Sequence, residues 1–317
     1  MKAVILDANT LGNDLDLDFF NKAVETDIFS STMQNDVEER AKDYDIIITN
    51  KIKLTEDVLK KLPKVKLICI TATGYDNVDI SYARKNNIAV CNVPAYSTDS
   101  VSQVTVAMAL FLATNLGAYR NTTISKEYQN GNKFNILTPV FYELTGKTWG
   151  IIGYGNIGKQ VGKVAESLGC NVICYKRNPN NEDKCVPLET LLKTSDIISI
   201  HTPLNDESRN LINKETLSLM KENVILINVA RGPVVNEQDL YDAVINGKIG
   251  AVGLDVFETE PLPLDSPLSK IAHLDNVCLT PHMAWGAFES RKRCVDTVYE
   301  NIISFLNGEN KNRVDLI

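Results

Sequence analysis

The chain has 317 residues, 44% of them hydrophobic, enough for two ordinary domains with well-formed cores. Its 33 basic and 40 acidic residues give a net charge of −7, and no run of Lys or Arg forms a stripe, which argues against nucleic acid and anionic membranes as partners. No stretch approaches about 18 uninterrupted apolar residues, no extended apolar signal precedes the first strand, and the odd, scattered set of seven cysteines indicates a reducing cytosol, so the expected location is cytoplasmic.

The first part alternates Ile- and Val-rich runs with helix-like segments. Strands are expected at 3–6, 45–49, 65–72 and 88–93, with amphipathic segments at 19–24 and 56–62, an α/β pattern with a parallel sheet. Residues 101–117, rich in Ala, Leu and Val, read as a buried helix leading out of this unit. Residues 118–145 are polar and irregular, with Tyr128, Phe134, Phe141 and Tyr142 interspersed. That length is atypical of a simple connection, so the segment reads as an arm that covers a cleft or embraces another subunit.

A second series follows, with strands expected at 148–152, 172–175, 197–201, 224–228, 251–255 and 277–280, matching a doubly wound sheet. Residues 287–306 read as a helix with Glu289, Arg291, Lys292, Arg293 and Glu300 on a wet face, packing back on the first domain and making it discontinuous. The expected division is 1–98 with 288–317 as substrate domain and 99–287 as dinucleotide-binding domain, with the arm at 118–145. Most of the cysteines (Cys69, Cys91, Cys170, Cys174, Cys185, Cys278 and Cys294) sit in apolar runs and read as small hydrophobes. Cys170 and Cys174 lack CxxC spacing and the chain has three histidines, so no metal site is expected.

Gly153-Tyr154-Gly155-Asn156-Ile157-Gly158 follows an apolar run and opens a helix-like segment, the context of a dinucleotide-binding turn. One glycine serves the tight turn, one admits the pyrophosphate, and one lets helix and strand pack closely. The phosphates would sit on free N–H groups at the helix start. The acidic residue that usually ends the next strand and binds the ribose 2′-hydroxyl is missing; that strand runs into Lys176 and Arg177, then Asn180-Asn181-Glu182-Asp183. Both cations would attract a 2′-phosphate, so NADP(H) is the expected cofactor and NAD(H) the alternative.

In open α/β sheets ligands bind beyond the carboxyl ends of the strands. There the chain places His201, Thr202 and Pro203, then Ala230 and Arg231, then Asp255 and Glu260, then His282. Reducing a 2-keto acid requires a hydride donor, a cation for the carboxylate, and an acid for the oxygen as it becomes an alkoxide. Arg231 suits the clamp, His282 the acid, and Glu260 would orient His282 and favour its imidazolium. His201 would edge the adenosine pocket, while His273 reads as structural. The loop at 50–53 and Trp285 are expected to shape the side-chain pocket.

The chain resembles the D-2-hydroxyacid dehydrogenases over essentially its whole length, through Gly74-Tyr75-Asp76-Asn77-Val78-Asp79, the glycine turn, Asn228-Val229-Ala230-Arg231-Gly232, Gly253-Leu254-Asp255-Val256-Phe257-Glu258-Thr259-Glu260-Pro261 and Pro281-His282-Met283-Ala284-Trp285. The resemblance implies a Rossmann domain with a flavodoxin-like substrate domain, Arg231 as substrate clamp, Glu260 and His282 as acid/base pair, Asp255 near the nicotinamide carboxamide, and backbone N–H groups of Thr73 and Gly74 for the substrate carboxylate. It also implies hinges near 97–100 and 287–289 and a homodimer. The segment from Pro281 to Trp285 followed by Glu289-Ser290-Arg291 looks most like bacterial hydroxypyruvate reductases, so hydroxypyruvate or glyoxylate is the expected substrate. Larger aliphatic or aromatic 2-keto acids are the alternative. The chain ends soon after its final helix, unlike phosphoglycerate dehydrogenases with an added regulatory domain, and Glu260 stands where the family's formate dehydrogenases carry Gln. Lys176 departs from the Asp of NAD-using members. The same fold also serves cofactor-sensing co-repressors, a non-enzymatic alternative.

Overall fold

Strands buried on both faces are too apolar to alternate, and both sheets are built from such runs. In the computed structural model, which describes residues 1–179 and 184–317, the chain divides into two units, Met1–Ser97 with Gly286–Ile317 (unit 1) and Thr98–Trp285 (unit 2).

Unit 1 contains β1 (Lys2–Ile5), β2 (Glu25–Ile28), β3 (Ile46–Thr49), β4 (Leu67–Ile70) and β5 (Ala89–Cys91), all parallel in the order β2-β1-β3-β4-β5. Val4, Ile47, Ile68 and Val90 meet Leu54, Leu59 and Leu62 in its core. The edge strand β2 departs from expectation: its sequence, Glu-Thr-Asp-Ile, buries only Thr26 and carries no apolar run. The helix expected at 19–24 is instead a 3-10 turn, Asp18–Lys22, that buries Phe20 against Phe19 and Tyr299 before the chain enters β2.

The helix Phe288–Leu306 packs on β4 within unit 1 and buries Val295, Val298 and Ile302. Its expected wet face is corrected at one position. Arg291 has only 14% of its side chain exposed, donates to the Leu11 carbonyl at 2.7 Å and is paired with Asp14. Beyond the helix the chain returns to β5. Val314 joins the core, its N–H donates to Val90 O at 2.8 Å, and the Asp315 carboxylate accepts the Val90 N–H at 2.8 Å and pairs with Arg313 at 2.6 Å. Burial would raise the Asp315 pKa, but Arg313 and the Val90 N–H outweigh it and hold the carboxyl below its usual range.

Unit 2 contains β6 (Thr148–Ile152), β7 (Asn171–Tyr175), β8 (Ile197–Ile200), β9 (Ile225–Asn228), β10 (Ala251–Leu254) and β11 (Val277–Leu279), parallel in the order β11-β10-β9-β8-β6-β7. An isolated parallel bridge from Cys174 to Cys185 adds one residue of a further strand outside β7, and with it the order becomes that of two mononucleotide-binding halves. The fold class is as expected: two parallel sheets with helices, Rossmann-like. The loop residues Asn180, Asn181, Glu182 and Asp183 lie outside the described residues.

The helix expected at 101–117 runs instead over Thr98–Ala113 and breaks at Asn115, whose φ of 52° is left-handed. A second helix, Leu116–Ile124, and a turn, Glu127–Asn130, occupy the start of the segment expected to be irregular. Among the described residues no single helix is long and apolar enough to cross a membrane; the pair Thr98–Ala113 and Leu116–Ile124 passes only jointly and is bent by 65°.

Asp315→Ala leaves the Val90 N–H without its acceptor and Arg313 without its pair, so the free energy of unfolding should fall by about 2 kcal/mol. Urea denaturation followed by circular dichroism at neutral pH measures this. The wild-type advantage should shrink as pH falls through the lowered Asp315 pKa, because the folded state then loses a charge it favours.

Candidate active site

The glycine turn connects β6 to the helix Asn156–Ser167, and each glycine has its own reason. Gly153 has φ of 93°, and a Cβ there would come within 2.6 Å of the His201 carbonyl carbon and the Thr202 nitrogen. A Cβ on Gly158 would overlap the Gly153 carbonyl oxygen. A Cβ on Gly155 would meet nothing within 4 Å, so the middle glycine faces open space at the helix start. The first N–H groups of a helix have no partner inside it, and Gly155 caps this one with no side chain. Backbone donors, the dipole's positive end and room for close approach fit a pyrophosphate. Tyr154 and Ile157 pack on the unit 2 core, as Val161 and Ala165 do on the helix's inner face.

Lys176 and Arg177 leave the end of β7 as expected, but Arg177 is paired with Glu207 at 2.7 Å on the exposed surface. His201 follows directly on β8. Its Nε2 lies 3.0 Å from Ser199 Oγ, which also receives the Trp149 indole N–H at 2.9 Å. The indole only donates, so Ser199 accepts from it and shares a second hydrogen bond with His201 Nε2. Nδ1 is buried with no hydrogen-bond partner among the described residues, and burial pushes the ring pKa down to about 3. His201 is therefore neutral, with its backbone rather than its ring against the glycine turn. Thr202 shares that close approach, and Pro203 is exposed with its carbonyl accepting from Ser208 Oγ at 2.7 Å.

After β9, Asn228 organises the loop: its side chain accepts from Ala230 N at 3.0 Å and donates to Arg231 O at 2.9 Å. The Arg231 guanidinium donates to Ala230 O at 2.8 Å. Any side chain at Gly232 would overlap the Phe257 carbonyl, so the loop carrying Arg231 lies directly on the segment that leads to Glu260.

Asp255, at the end of β10, is 1% exposed. Its oxygens accept from Thr280 Oγ1 at 2.6 Å, Met283 N at 2.9 Å and Ala284 N at 2.9 Å. Burial raises its pKa against these hydrogen bonds. The carboxylate thus braces the loop 280–284. On that loop His282 takes a left-handed φ of 53°, and its Nδ1 lies 2.6 Å from Glu260 Oε2. Glu260 Oε1 accepts from Phe257 N at 3.1 Å, which fixes the carboxylate from the other side. The contact engages Nδ1, and the His282 side chain remains partly exposed. Trp285 follows, half-buried against the unit 2 core.

The carboxyl edge of the unit 1 sheet is equally polar. Asp7, just past β1 and 6% exposed, accepts from Asn50 N at 3.0 Å, Lys51 N at 2.7 Å and Thr49 Oγ1 at 3.2 Å. Burial raises its pKa against those bonds. Sequence reading missed this residue, although an acid directly after an apolar strand was the available signal. Asn77 Nδ2 holds the same loop from the side, donating to Ile52 O at 3.0 Å. Asn50 Nδ2 and Thr71 Oγ1, one step beyond the paired Thr49 and Ile70, are buried without hydrogen-bond partners among the described residues. Thr73 is tied by its hydroxyl to Val93 O at 2.8 Å and by its carbonyl to Asn92 Nδ2 at 2.7 Å, and Gly74 follows it in the same loop.

A glycine turn on a parallel sheet, with an arginine and a paired glutamate and histidine at successive strand ends, is the arrangement of a nicotinamide-dependent oxidoreductase. Residues 106–284 match the D-isomer specific 2-hydroxyacid dehydrogenase, NAD binding domain, and the chain belongs to that family. The chain is 38% identical to the hydroxypyruvate reductase of Blautia hydrogenotrophica, over 99% of this chain and 100% of that protein. Among solved structures, the D-lactate dehydrogenase of Aquifex aeolicus complexed with NAD and lactic acid matches with a TM-score of 0.87 and 32% identity over 99% of each chain. An acyclic imino acid reductase in complex with NADPH and D-Arg matches with a TM-score of 0.89 and 28% identity, covering 99% of this chain and 100% of that one. Residues 4–83 also match the Hb-interacting domain of heme-binding protein Shr-like, but the same residues lie within the full-length dehydrogenase matches.

Gly158→Ala should displace the helix start from the turn and weaken NADH and NADPH binding at least tenfold, on the order of 1.4 kcal/mol, measured by nicotinamide fluorescence titration. Asp255→Asn should keep cofactor affinity and lower kcat on the order of tenfold to a hundredfold by loosening the His282 loop. Steady-state kinetics beside the same titration separates the two effects; a cofactor-affinity loss in Asp255→Asn would assign that residue to the nucleotide instead.

Proposed function

We propose that the chain reduces a small 2-keto acid, hydroxypyruvate or glyoxylate, to the D-2-hydroxy acid with NADPH as donor, NADH being the alternative. The observation that carries this reading is the His282 Nδ1 to Glu260 contact of 2.6 Å on strand-end loops of a nucleotide-binding sheet. The nicotinamide, when bound, supplies the hydride. Arg231 holds the carboxylate and polarises the carbonyl with its forked donors. His282 delivers a proton from Nε2 to the substrate oxygen as negative charge develops there, and Glu260 holds the ring in register. In unit 1, the backbone N–H groups of Thr73 and Gly74 serve the carboxylate.

NADPH is favoured by Lys176 and Arg177, with no carboxylate at the end of β7 to repel a 2′-phosphate. The exposed Arg177–Glu207 pair is weak enough to be exchanged for a dianionic phosphate. The segment carrying Phe134, 94% exposed, and Tyr142, 69% exposed, suits a homodimer contact. The proposed location is the cytoplasm.

Initial rates of NADPH and NADH oxidation with hydroxypyruvate, glyoxylate, pyruvate, 2-ketoisocaproate and phenylpyruvate test the reading. Hydroxypyruvate and glyoxylate should turn over fastest, and with NADPH. NADH preference would remove the 2′-phosphate argument, and no turnover with either cofactor would leave a nucleotide-binding protein without this chemistry. His282→Ala should lower kcat on the order of a hundredfold or more with KM little changed, whereas Arg231→Ala should raise KM and lower kcat together.

A further inference from the structure

The reading of the cysteines as small hydrophobes leaves one pair unexplained. Cys174 lies in β7 and Cys185 is its partner in the isolated parallel bridge, with their sulfurs 3.0 Å apart. Backbone bonds frame the pair: Cys174 N donates to Lys184 O and Val186 N to Cys174 O, both at 2.8 Å. Neighbouring strands lie about 4.8 Å apart, inside the Cα separation that a disulfide accepts, so a bond needs little backbone movement. Cys174 is sealed from solvent, but Cys185 is partly exposed and open to attack.

Cys174 is followed by Tyr175, which accepts from Gly153 N of the glycine turn, and then by Lys176 and Arg177, which leave β7. We infer that Cys174 and Cys185 form a reversible dithiol/disulfide site, oxidised by a hydroperoxide, that sets the conformation of the Lys176–Arg177 loop and so the affinity for the nicotinamide nucleotide. The effect on nucleotide affinity rests on the proposed role of that loop; the covalent chemistry does not.

The chemistry balances without a metal. The Cys185 thiolate attacks one oxygen of hydrogen peroxide; an S–O bond forms to give the sulfenic acid, the O–O bond breaks, and the other oxygen leaves as hydroxide, which takes the thiol's proton to become water. The Cys174 sulfur then attacks the sulfenic sulfur, the S–S bond forms, the S–O bond breaks, and a second water carries away the oxygen and the second proton. Two thiols and one hydrogen peroxide give one disulfide and two waters. Two equivalents of a small thiol reverse the change by exchange.

Cys69 and Cys91 provide an internal contrast. They also face each other, in paired register across β4 and β5, but both are fully buried, and the neighbouring sulfur together with burial pushes the Cys69 thiol up. Neither presents a thiolate to solvent.

Purified full-length protein is treated with hydrogen peroxide and digested without reduction, and cross-linked peptides are identified by mass spectrometry. Nucleotide affinity is measured in parallel by NADPH and NADH fluorescence titration. The expected result is a 174–185 cross-link lighter by two hydrogens, a several-fold change in nucleotide affinity, reversal by dithiothreitol, and loss of both effects in Cys185→Ser with unoxidised affinity retained. No 174–185 cross-link under conditions that oxidise Cys185 would overturn the site. A cross-link without a change in affinity would overturn the coupling to the nucleotide while leaving the dehydrogenase reading intact, because that reading is judged by turnover of the reduced protein.

Discussion

A buried carboxylate costs several kcal/mol unless hydrogen bonds replace its lost water, and the carboxyl edge of unit 2 is organised around one that meets this condition. Asp255 draws a hydroxyl and two backbone N–H groups from the loop after the next strand, so the ends of β10 and β11 are tied by groups that have nowhere else to bond. The loop must bend to satisfy them, and His282 takes the left-handed conformation that results. Glu260 lies on the chain leaving Asp255, so one short segment supplies both the brace for the histidine's backbone and the partner for its ring. Truncating the brace would cost more than its hydrogen bonds, since it would also uncouple the geometry of the pair.

Unit 1 uses the same device. Parallel strands end in loops whose N–H groups point away from the ladder, and Asp7 collects those of the loop after β3. In both units an acid follows directly on an apolar strand and serves the neighbouring strand's loop rather than its own. Such acids stand where a ligand would also be expected, and the donors they already hold give each a bracing role within its own unit.

The strands legible in the sequence were those buried on both faces, because runs such as Ile46-Ile47-Ile48 admit no other reading. The glycine turn was legible because backbone constraints at Gly153 and Gly158 exclude other residues. Edge strand β2 was not, since its apolar content is too low to register, and Phe20 suggested a helix where the chain makes only a 3-10 turn. Arg291 looked solvated because its acceptors, Leu11 and Asp14, are nearly the whole chain away. His201 and Asp255 were placed at the right strand ends, but which way a side chain turns there depends on partners such as Ser199 and Thr280 that periodicity does not reveal. The Cys174–Cys185 pair is hidden for the same reason, since only the parallel bridge between them brings the two sulfurs together.

The chain has two tryptophans, and both fall in unit 2. Trp149 is fully buried in β6 with its indole N–H on Ser199, and Trp285 is the last residue of the unit, directly after the braced loop. Intrinsic indole emission therefore originates in the nucleotide-binding unit alone, one emitter in the interior of its sheet and the other at its boundary, while unit 1 contributes only tyrosine. A red shift during denaturation reports the opening of unit 2 around its two indoles, whereas far-ultraviolet ellipticity sums both units, so a mismatch between the two signals shows without any label that the chain does not open in one step.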